Sequence, residues 1–308
     1  MSAPAEDPSA RPVSASPAVG IVGLGLVGRA LAGRIVAAGH TVLGFDHAPA
    51  ARAAWQSLGH GLEASPAALA RRCTTVLVAV FDTTGVLQVV EGDDGLVHGS
   101  ALQLVVDCST GDPDVLMALA TRLAARGIDF IEAPLSGSSE QIAAGEATLL
   151  LGAEAAVLGR HERLLASLAA QRVHAGGPGM GARAKLATNL VLGLNRAALA
   201  EGMVFAERLG IAPDRFLALV LGTPARSDAA LVKGRRMVQG DFEPPQSRIR
   251  QHLKDVELML VQAAQAGQRL PLSQAHAELM RAAVAAGDGE LDNAAIVRQL
   301  RREAREAG

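Results

Sequence analysis

One stretch constrains the fold of this chain more than any other. Ala18-Val19-Gly20-Ile21-Val22 is a short apolar run, Gly23-Leu24-Gly25-Leu26-Val27-Gly28 is a glycine-rich turn, and Arg29-Ala30-Leu31-Ala32 continues as a helix. Strand, phosphate loop and helix in that order make a dinucleotide-binding unit. Gly23 suits the tight turn, Gly25 lets a pyrophosphate approach the backbone, and Gly28 lets helix and strand pack closely. Leu26 and Val27 open the helix, whose free N–H groups face the phosphate charge. Because the chain holds 33 glycines, the motif is weak by itself and gains weight only from residues further along the chain.

A second strand is expected over His40 to Phe45, ending at Asp46, 23 residues beyond Gly23. A carboxylate at that point accepts both ribose hydroxyls of adenosine and repels a 2′-phosphate, so NAD is favoured over NADP. His47 and Arg52 argue the other way, since either can contact a phosphate. Asp46 also suits a plain turn before Pro49. Further strands are expected at Thr75 to Val80, Leu102 to Val106, Ile128 to Glu132, Ala147 to Leu151 and Arg172 to His174, alternating with helices, one of them over Glu154 to Ala169. Repeated strand–helix units imply a largely parallel sheet of the Rossmann type, with ligands bound at the strand ends.

After Gly176-Gly177-Pro178-Gly179 the pattern changes, and no convincing strand remains. Ala182 to Leu209 reads as one long, nearly all-apolar helix interrupted by isolated polar groups, and more helices follow to Glu306. The expected organisation is therefore a disordered tail over 1–17, an α/β dinucleotide-binding domain over 18–179 and an all-α domain over 180–308. A helix so apolar calls for burial beyond its own domain, which points to a homo-oligomer, dimer or tetramer, built through the helical half.

Composition narrows the function. Hydrophobic residues make up 49% of the chain, enough for a substantial core. The net charge of −2 and an aromatic content of 2% offer neither a basic field nor a stacking surface for nucleic acid. No window of 18 uncharged apolar residues marks a membrane span, and the tail lacks the layout of a secretory signal. Cys73 and Cys108 form no metal or redox spacing, which suits the reducing cytoplasm. The eight histidines make no metal-ligand pattern, so no metal is expected.

Lys185 and Asn189 lie four residues apart on one face of the long apolar helix. A lysine semi-buried there would have its charged form disfavoured and could exchange a proton with a carbonyl or alcohol oxygen. A snorkelling lysine beside an interhelical asparagine fits the same letters. Ser136-Gly137-Ser138-Ser139 follows a strand and Pro134. It reads as a loop that could hold a carboxylate with its N–H groups and hydroxyls, or as an ordinary turn before a helix. Lys254-Asp255, on a later helix, could reach the cleft or lie solvated at the surface. No serine has the G-x-S-x-G context of a hydrolase.

In combination these blocks resemble the β-hydroxyacid dehydrogenases, the family of 3-hydroxyisobutyrate dehydrogenase and tartronate semialdehyde reductase. The matching blocks are the glycine loop with Gly39-His40, Asp107-Cys108-Ser109-Thr110, Ala133-Pro134-Leu135-Ser136-Gly137 followed by Gly145 and Gly152, and Gly179-x-Gly181 with Lys185-x-x-x-Asn189; Lys254-Asp255 closes the set. The resemblance implies a Rossmann-type domain followed by a helical one, and hydride transfer between NAD, or alternatively NADP, and a small carboxylate-bearing 3-hydroxy acid. By it, Lys185 corresponds to the catalytic lysine, Asn189 to its neighbour, and Ser136 and Gly137 to the substrate-carboxylate loop, which Ser138 extends. Phe81, Asp82, Thr110 and Lys254 fall at positions that contact the dinucleotide.

Three departures stand out. Ser136-Gly137-Ser138 replaces the family's Ser-Gly-Gly, Phe81-Asp82 replaces Leu-Pro, and Ser247 stands where an aromatic residue is common. The two extra hydroxyls and the lost ring suggest a larger or more polar substrate than 3-hydroxyisobutyrate, or else only reshape the residues behind the site. Asp82 near the cofactor phosphates is unfavourable unless it points away. Against the rivals, a 6-phosphogluconate-type enzyme usually has His where Thr188 stands, imine reductases typically lack Lys185, and a dinucleotide sensor has no need of a buried proton donor.

Overall fold

The computed structural model describes residues 18–306; the tail expected over 1–17 lies outside the described residues. Nine strands form one sheet: β1 (Val19–Val22), β2 (Val42–Phe45), β3 (Gly61–Leu62), β4 (Thr75–Val78), β5 (Leu104–Asp107), β6 (Asp129–Glu132), β7 (Leu135–Ser136), β8 (Thr148–Gly152) and β9 (Gln171–Gly176). Their order is β3-β2-β1-β4-β5-β6-β8-β7, with β9 paired to β8. The first six strands in that order run parallel and in register, Val19 opposite both Val42 and Thr75. β8 runs antiparallel to β6 and β7.

Strands such as Val19-Gly20-Ile21-Val22 and Leu104-Val105-Val106-Asp107 are buried on both faces, as parallel strands covered by helices must be. One core packs Leu31, Ile35 and Leu165 on one face, and a second packs Leu69, Val86 and Leu119 on the other. The covering helices are α1 (Leu26–Ala37), α2 (Pro49–Ser57), α3 (Pro66–Arg72), α4 (Thr83–Glu91), α5 (Pro113–Ala124), α6 (Ser139–Ala144), α7 (Ala155–Arg160) and α8 (Glu162–Leu168). Strand order reverses between β1 and β4, and loops splayed apart at such a point leave a ligand crevice.

The helix expected over Glu154 to Ala169 is two helices, broken at His161. Asp129, on β6, holds the break by taking Arg160 at 2.6 Å and His161 at 2.7 Å. That carboxylate comes from another element, so the local sequence carries no sign of it. β3 and β7, two residues each, are too short for a periodicity to mark them.

The helical half comprises α9 (Met180–Arg208), α10 (Pro213–Leu221), α11 (Asp228–Gln239), α12 (Ile249–Gln265), α13 (Pro271–Ala285) and α14 (Ile296–Glu306). α9 has 29 residues, about 43 Å at the usual rise, and the other helices pack around it over a third core containing Met203, Val256 and Met280. Among the described residues no helix is long and apolar enough to cross a membrane.

The two halves are joined by a buried carboxylate. Glu132, at the end of β6 and 0% exposed, accepts hydrogen bonds from the N–H groups of Gly179 and, at 2.7 Å, Ala182. Helix α9 thus receives an acidic cap from a residue 47 positions upstream. Close packing requires glycine on both sides, because a Cβ at Gly181 would lie 2.9 Å from Gly152 N and Leu150 O.

Burial pushes the Glu132 carboxyl up to about 7. Between its ordinary 4.5 and about 7 the native state holds more protons than the unfolded chain, so this group's contribution to stability falls as pH rises through that window. Glu132→Ala orphans two buried N–H groups and is expected to cost about 2–4 kcal/mol at pH 5. Denaturant titrations from pH 4.5 to 7 should also show a smaller loss of stability with rising pH in the variant than in the parent chain.

Candidate functional site

The β1–α1 turn is shaped by its glycines. Gly23 has φ +92°, and a Cβ there would lie 2.2 Å from Ala79 O. A Cβ at Gly28 would lie 1.8 Å from Gly23 O, so helix and loop touch through bare backbone. Around Gly25 a Cβ would meet nothing within 4 Å, because that residue faces an open cavity. Gly25 is the N-cap of α1 and no side chain caps the helix, so the first turn, with Leu26 and Val27 on the cavity wall, keeps its N–H groups for an anion. This cradle fits the pyrophosphate of a dinucleotide.

Asp46 lies beside the cradle on the cavity wall. Its Oδ2 accepts from Leu24 N at 2.7 Å and its Oδ1 from Ala48 N at 2.8 Å. The carboxylate therefore shapes its own turn and pins the glycine loop, and each oxygen retains lone-pair capacity for a ribose hydroxyl. Arg52 donates to the carbonyl oxygens of Asp46 and His47 at 2.9 and 3.0 Å.

The next two loops are tied together from the helical half. Lys254, on α12, donates to Phe81 O at 2.9 Å and Thr110 O at 2.8 Å, and its ammonium lies 5.5 Å from the Phe81 ring centroid. Asp255 Oδ1 is 2.8 Å from the same ammonium, a charge contact at an angle that makes no hydrogen bond. Phe81 and Thr110 line the cavity. Lys254 and Asp82 lie off its wall: Lys254 directs its ammonium to loop carbonyls and Asp255, and Asp82 caps α4 by accepting from Gly85 N at 2.8 Å. Beneath these loops Asp107 accepts from Ser109 N at 2.9 Å, and its burial pushes its carboxyl up to about 6.

Lys185 follows from the Glu132 clamp. One turn into α9, its Nζ donates to Leu135 O at 2.6 Å, and the residue is 9% exposed. Burial lowers the pKa of its ammonium below the ordinary 10.5; Asp255 works against that shift, and Lys254 and Arg196 add to it. Asn189 donates to Asp255 Oδ2 at 3.0 Å. Two residues beyond Leu135, Gly137 has φ +148°, and a Cβ there would lie 2.9 Å from the Ala147 Cβ. Ser138 caps α6, its Oγ accepting from Gln141 N while Gln141 Oε1 accepts from Ser138 N at 2.8 Å. Its hydroxyl proton remains available for a ligand. Ser136, Gly137, Ser138, Lys185 and Asn189 all line one cavity of about 710 Å³.

Sequence reasoning missed the far wall of this cavity, formed by Arg196, Lys233, His252 and Asn293. The available signal was an arginine placed eleven residues after Lys185 in an apolar helix. It also missed that Asp255 holds Asn189, because a pairing across 66 residues leaves no local mark. Among the described residues no group of three or more His, Cys, Asp or Glu is placed to hold a metal.

Fold and cavity define a Rossmann-type unit with an open dinucleotide cradle, followed by a helical half. Residues 18–177 match the family model of the NAD-binding domain of 6-phosphogluconate dehydrogenase. Residues 179–300 match that of the NAD-binding region of NADP-dependent 3-hydroxyisobutyrate dehydrogenase. The chain is 30% identical to 2-hydroxy-3-oxopropionate reductase of Escherichia coli, over 73% of this chain and 77% of the relative. It is also 30% identical to a probable 3-hydroxyisobutyrate dehydrogenase of Mycobacterium bovis, over 87% and 92%. The crystal structure of 3-hydroxyisobutyrate dehydrogenase from Salmonella typhimurium superposes with a TM-score of 0.82 at 28% identity, covering 92% of this chain and 99% of that one. The chain belongs to the β-hydroxyacid dehydrogenase family, whose members oxidise or reduce hydroxy acids with NAD(P).

Gly28→Ala forces a methyl group into the Gly23 carbonyl. It is expected to weaken NADH binding by at least about tenfold, a loss of ~1.4 kcal/mol, and to lower the melting temperature; NADH fluorescence titration and a thermal scan check both.

Proposed function

We propose that this chain is an NAD-preferring dehydrogenase of a small 3-hydroxy acid, of the 3-hydroxyisobutyrate, glycerate or threonate type, with Lys185 as its proton-transfer group. The observation that carries the reading is the buried Lys185 ammonium, held on Leu135 O beside Ser136, in the cavity that the Ser136–Ser138 loop also lines. A bound nicotinamide supplies the hydride acceptor or donor. The Ser136, Gly137 and Ser138 loop holds the substrate carboxylate with N–H groups and hydroxyls. Neutral Lys185 takes the proton of the reacting hydroxyl in oxidation, and its ammonium returns one to the carbonyl oxygen in reduction. Leu135 O fixes the direction of Nζ, and Asn189, itself held by Asp255, orients the substrate oxygen. Phe81 and Thr110 contact the dinucleotide directly. Asp82 and Lys254 act on it through the loops they hold.

Asp46 supports NAD, since a 2′-phosphate would approach a carboxylate. NADP has its own support in Arg52, whose guanidinium lies at the same strand end. Homo-oligomerisation through the helical half is supported by exposed Val191, Phe205, Leu209 and Leu272. Buried, free Cys73 and Cys108 fit the cytoplasm.

Lys185→Met is expected to lower kcat by about 10²–10⁴-fold while NADH still binds; unchanged turnover would remove Lys185 from the mechanism. Because neutral lysine is the base, oxidation should rise with pH and level off below 10.5, and reduction should fall over the same range. Asp46→Ala should move the NAD/NADP ratio of kcat/KM toward NADP by roughly tenfold or more; a parent chain that already prefers NADP would overturn the assignment.

A further inference from the structure

Lys185, Asn189, Leu192 and Arg196 are spaced four, three and four residues apart, so they project from one face of α9. All four line the cavity. Arg196 is two helical turns beyond Asn189, about 10 Å along the axis, and its side chain leans back toward the N-terminal end. The site therefore runs from the proton-transfer lysine to an arginine at its far end.

Arg196 is 5% exposed, and among the described residues nothing accepts a hydrogen bond from its guanidinium; its Nε is buried without a partner. His252 Nε2 and Asn293 Oδ1, on the same wall, are also buried and orphaned. The nearby charges do not answer the arginine. Asp292 is close enough to act on it, but accepts from Lys233 at 2.8 and 3.0 Å, from Gln246 N and from Ala294 N. Asp255 is held by Asn189 and Lys254. His252 and His276, packed against each other, are both held neutral by burial and by Arg196. A buried, unpaired guanidinium is costly, and its planar fork matches a carboxylate.

We propose that the substrate is a hydroxy-dicarboxylate, whose second carboxylate, remote from the reacting carbon, is bound by Arg196. This rests on the dehydrogenase reading above and deepens it: the first carboxylate goes to the Ser136 loop, the second to the far wall. Leu192, Ala229 and Val232 also line the cavity and offer apolar surface to the intervening carbons.

The test uses two acids that differ only by a carboxylate, 3-hydroxyisobutyrate and 2-(hydroxymethyl)succinate. Each is titrated calorimetrically into the full chain loaded with NADH, which allows binding and no oxidation. The diacid should bind at least tenfold tighter. Arg196→Gln should reduce that advantage to below threefold, and Arg196→Lys should keep part of it. Without ligand, Arg196→Gln should melt at or above the parent chain, since it removes an unpaired buried charge. No preference in the parent chain (including no binding of either acid), an undiminished preference in Arg196→Gln, or a melting temperature well below the parent would each overturn the proposal. Turnover with NAD is followed in parallel. A diacid preference with no oxidation of either acid supports the subsite and overturns the dehydrogenase reading; oxidation of both acids without preference overturns the subsite alone.

Discussion

The placement of the Lys185 face depends on one buried carboxylate. Glu132 ends a parallel strand and accepts from the first N–H groups of α9, so the sheet and the long helix meet in one register. Lys185 stands three residues beyond Ala182, and Leu135 three beyond Glu132, which is why Nζ finds the Leu135 carbonyl. A helix end brought to a strand end without an acceptor would leave buried N–H groups unsatisfied. The same contact therefore closes the fold and aims the lysine. Bare backbone at Gly152 and Gly181 lets it form.

Charge inside this molecule is concentrated where the two halves meet. Asp107, Glu132, Lys185, Arg196, Lys233 and Asp255 are all at least nine-tenths buried. Lys233 is answered by Asp292 and Gln246, and Glu132 by backbone. Among the described residues, Arg196 Nε and one oxygen of Asp255 are left without hydrogen bonds. Orphaned charge is tolerated at a site that a ligand completes, and such a site is less stable alone than it would be if built of apolar side chains. Lys254 contributes through position, since it fastens the loops after β4 and β5 to α12.

Much of the fold was legible because its signals are local. The glycine turn, the apolar strands and the capping residues each act within a few positions. The split at His161 was hidden because Asp129, which holds it, comes from β6. For Ser138, the side chain caps α6, as a turn before a helix requires, and the residue also lines the cavity. Asp46 likewise shapes its own turn from the cavity wall. Lys254 and Asp82 differ, being engaged by loop carbonyls and a helix cap, which spacing along the chain does not report.

By itself the sequence determined the doubly wound sheet, the helical second half, the family and the identity of the residues on the Lys185 face, because glycine geometry, hydrophobic period and helical spacing are properties of neighbours in the chain. Only the tertiary structure decided which of those residues are buried, which charges are answered and which are left without a partner. Glu132 meets Gly179 across 47 residues, Asn189 meets Asp255 across 66, and Lys254 meets Thr110 across 144. Burial and pairing at such separations depend on how the halves pack, and that packing set the lysine against the serine loop and left the arginine open.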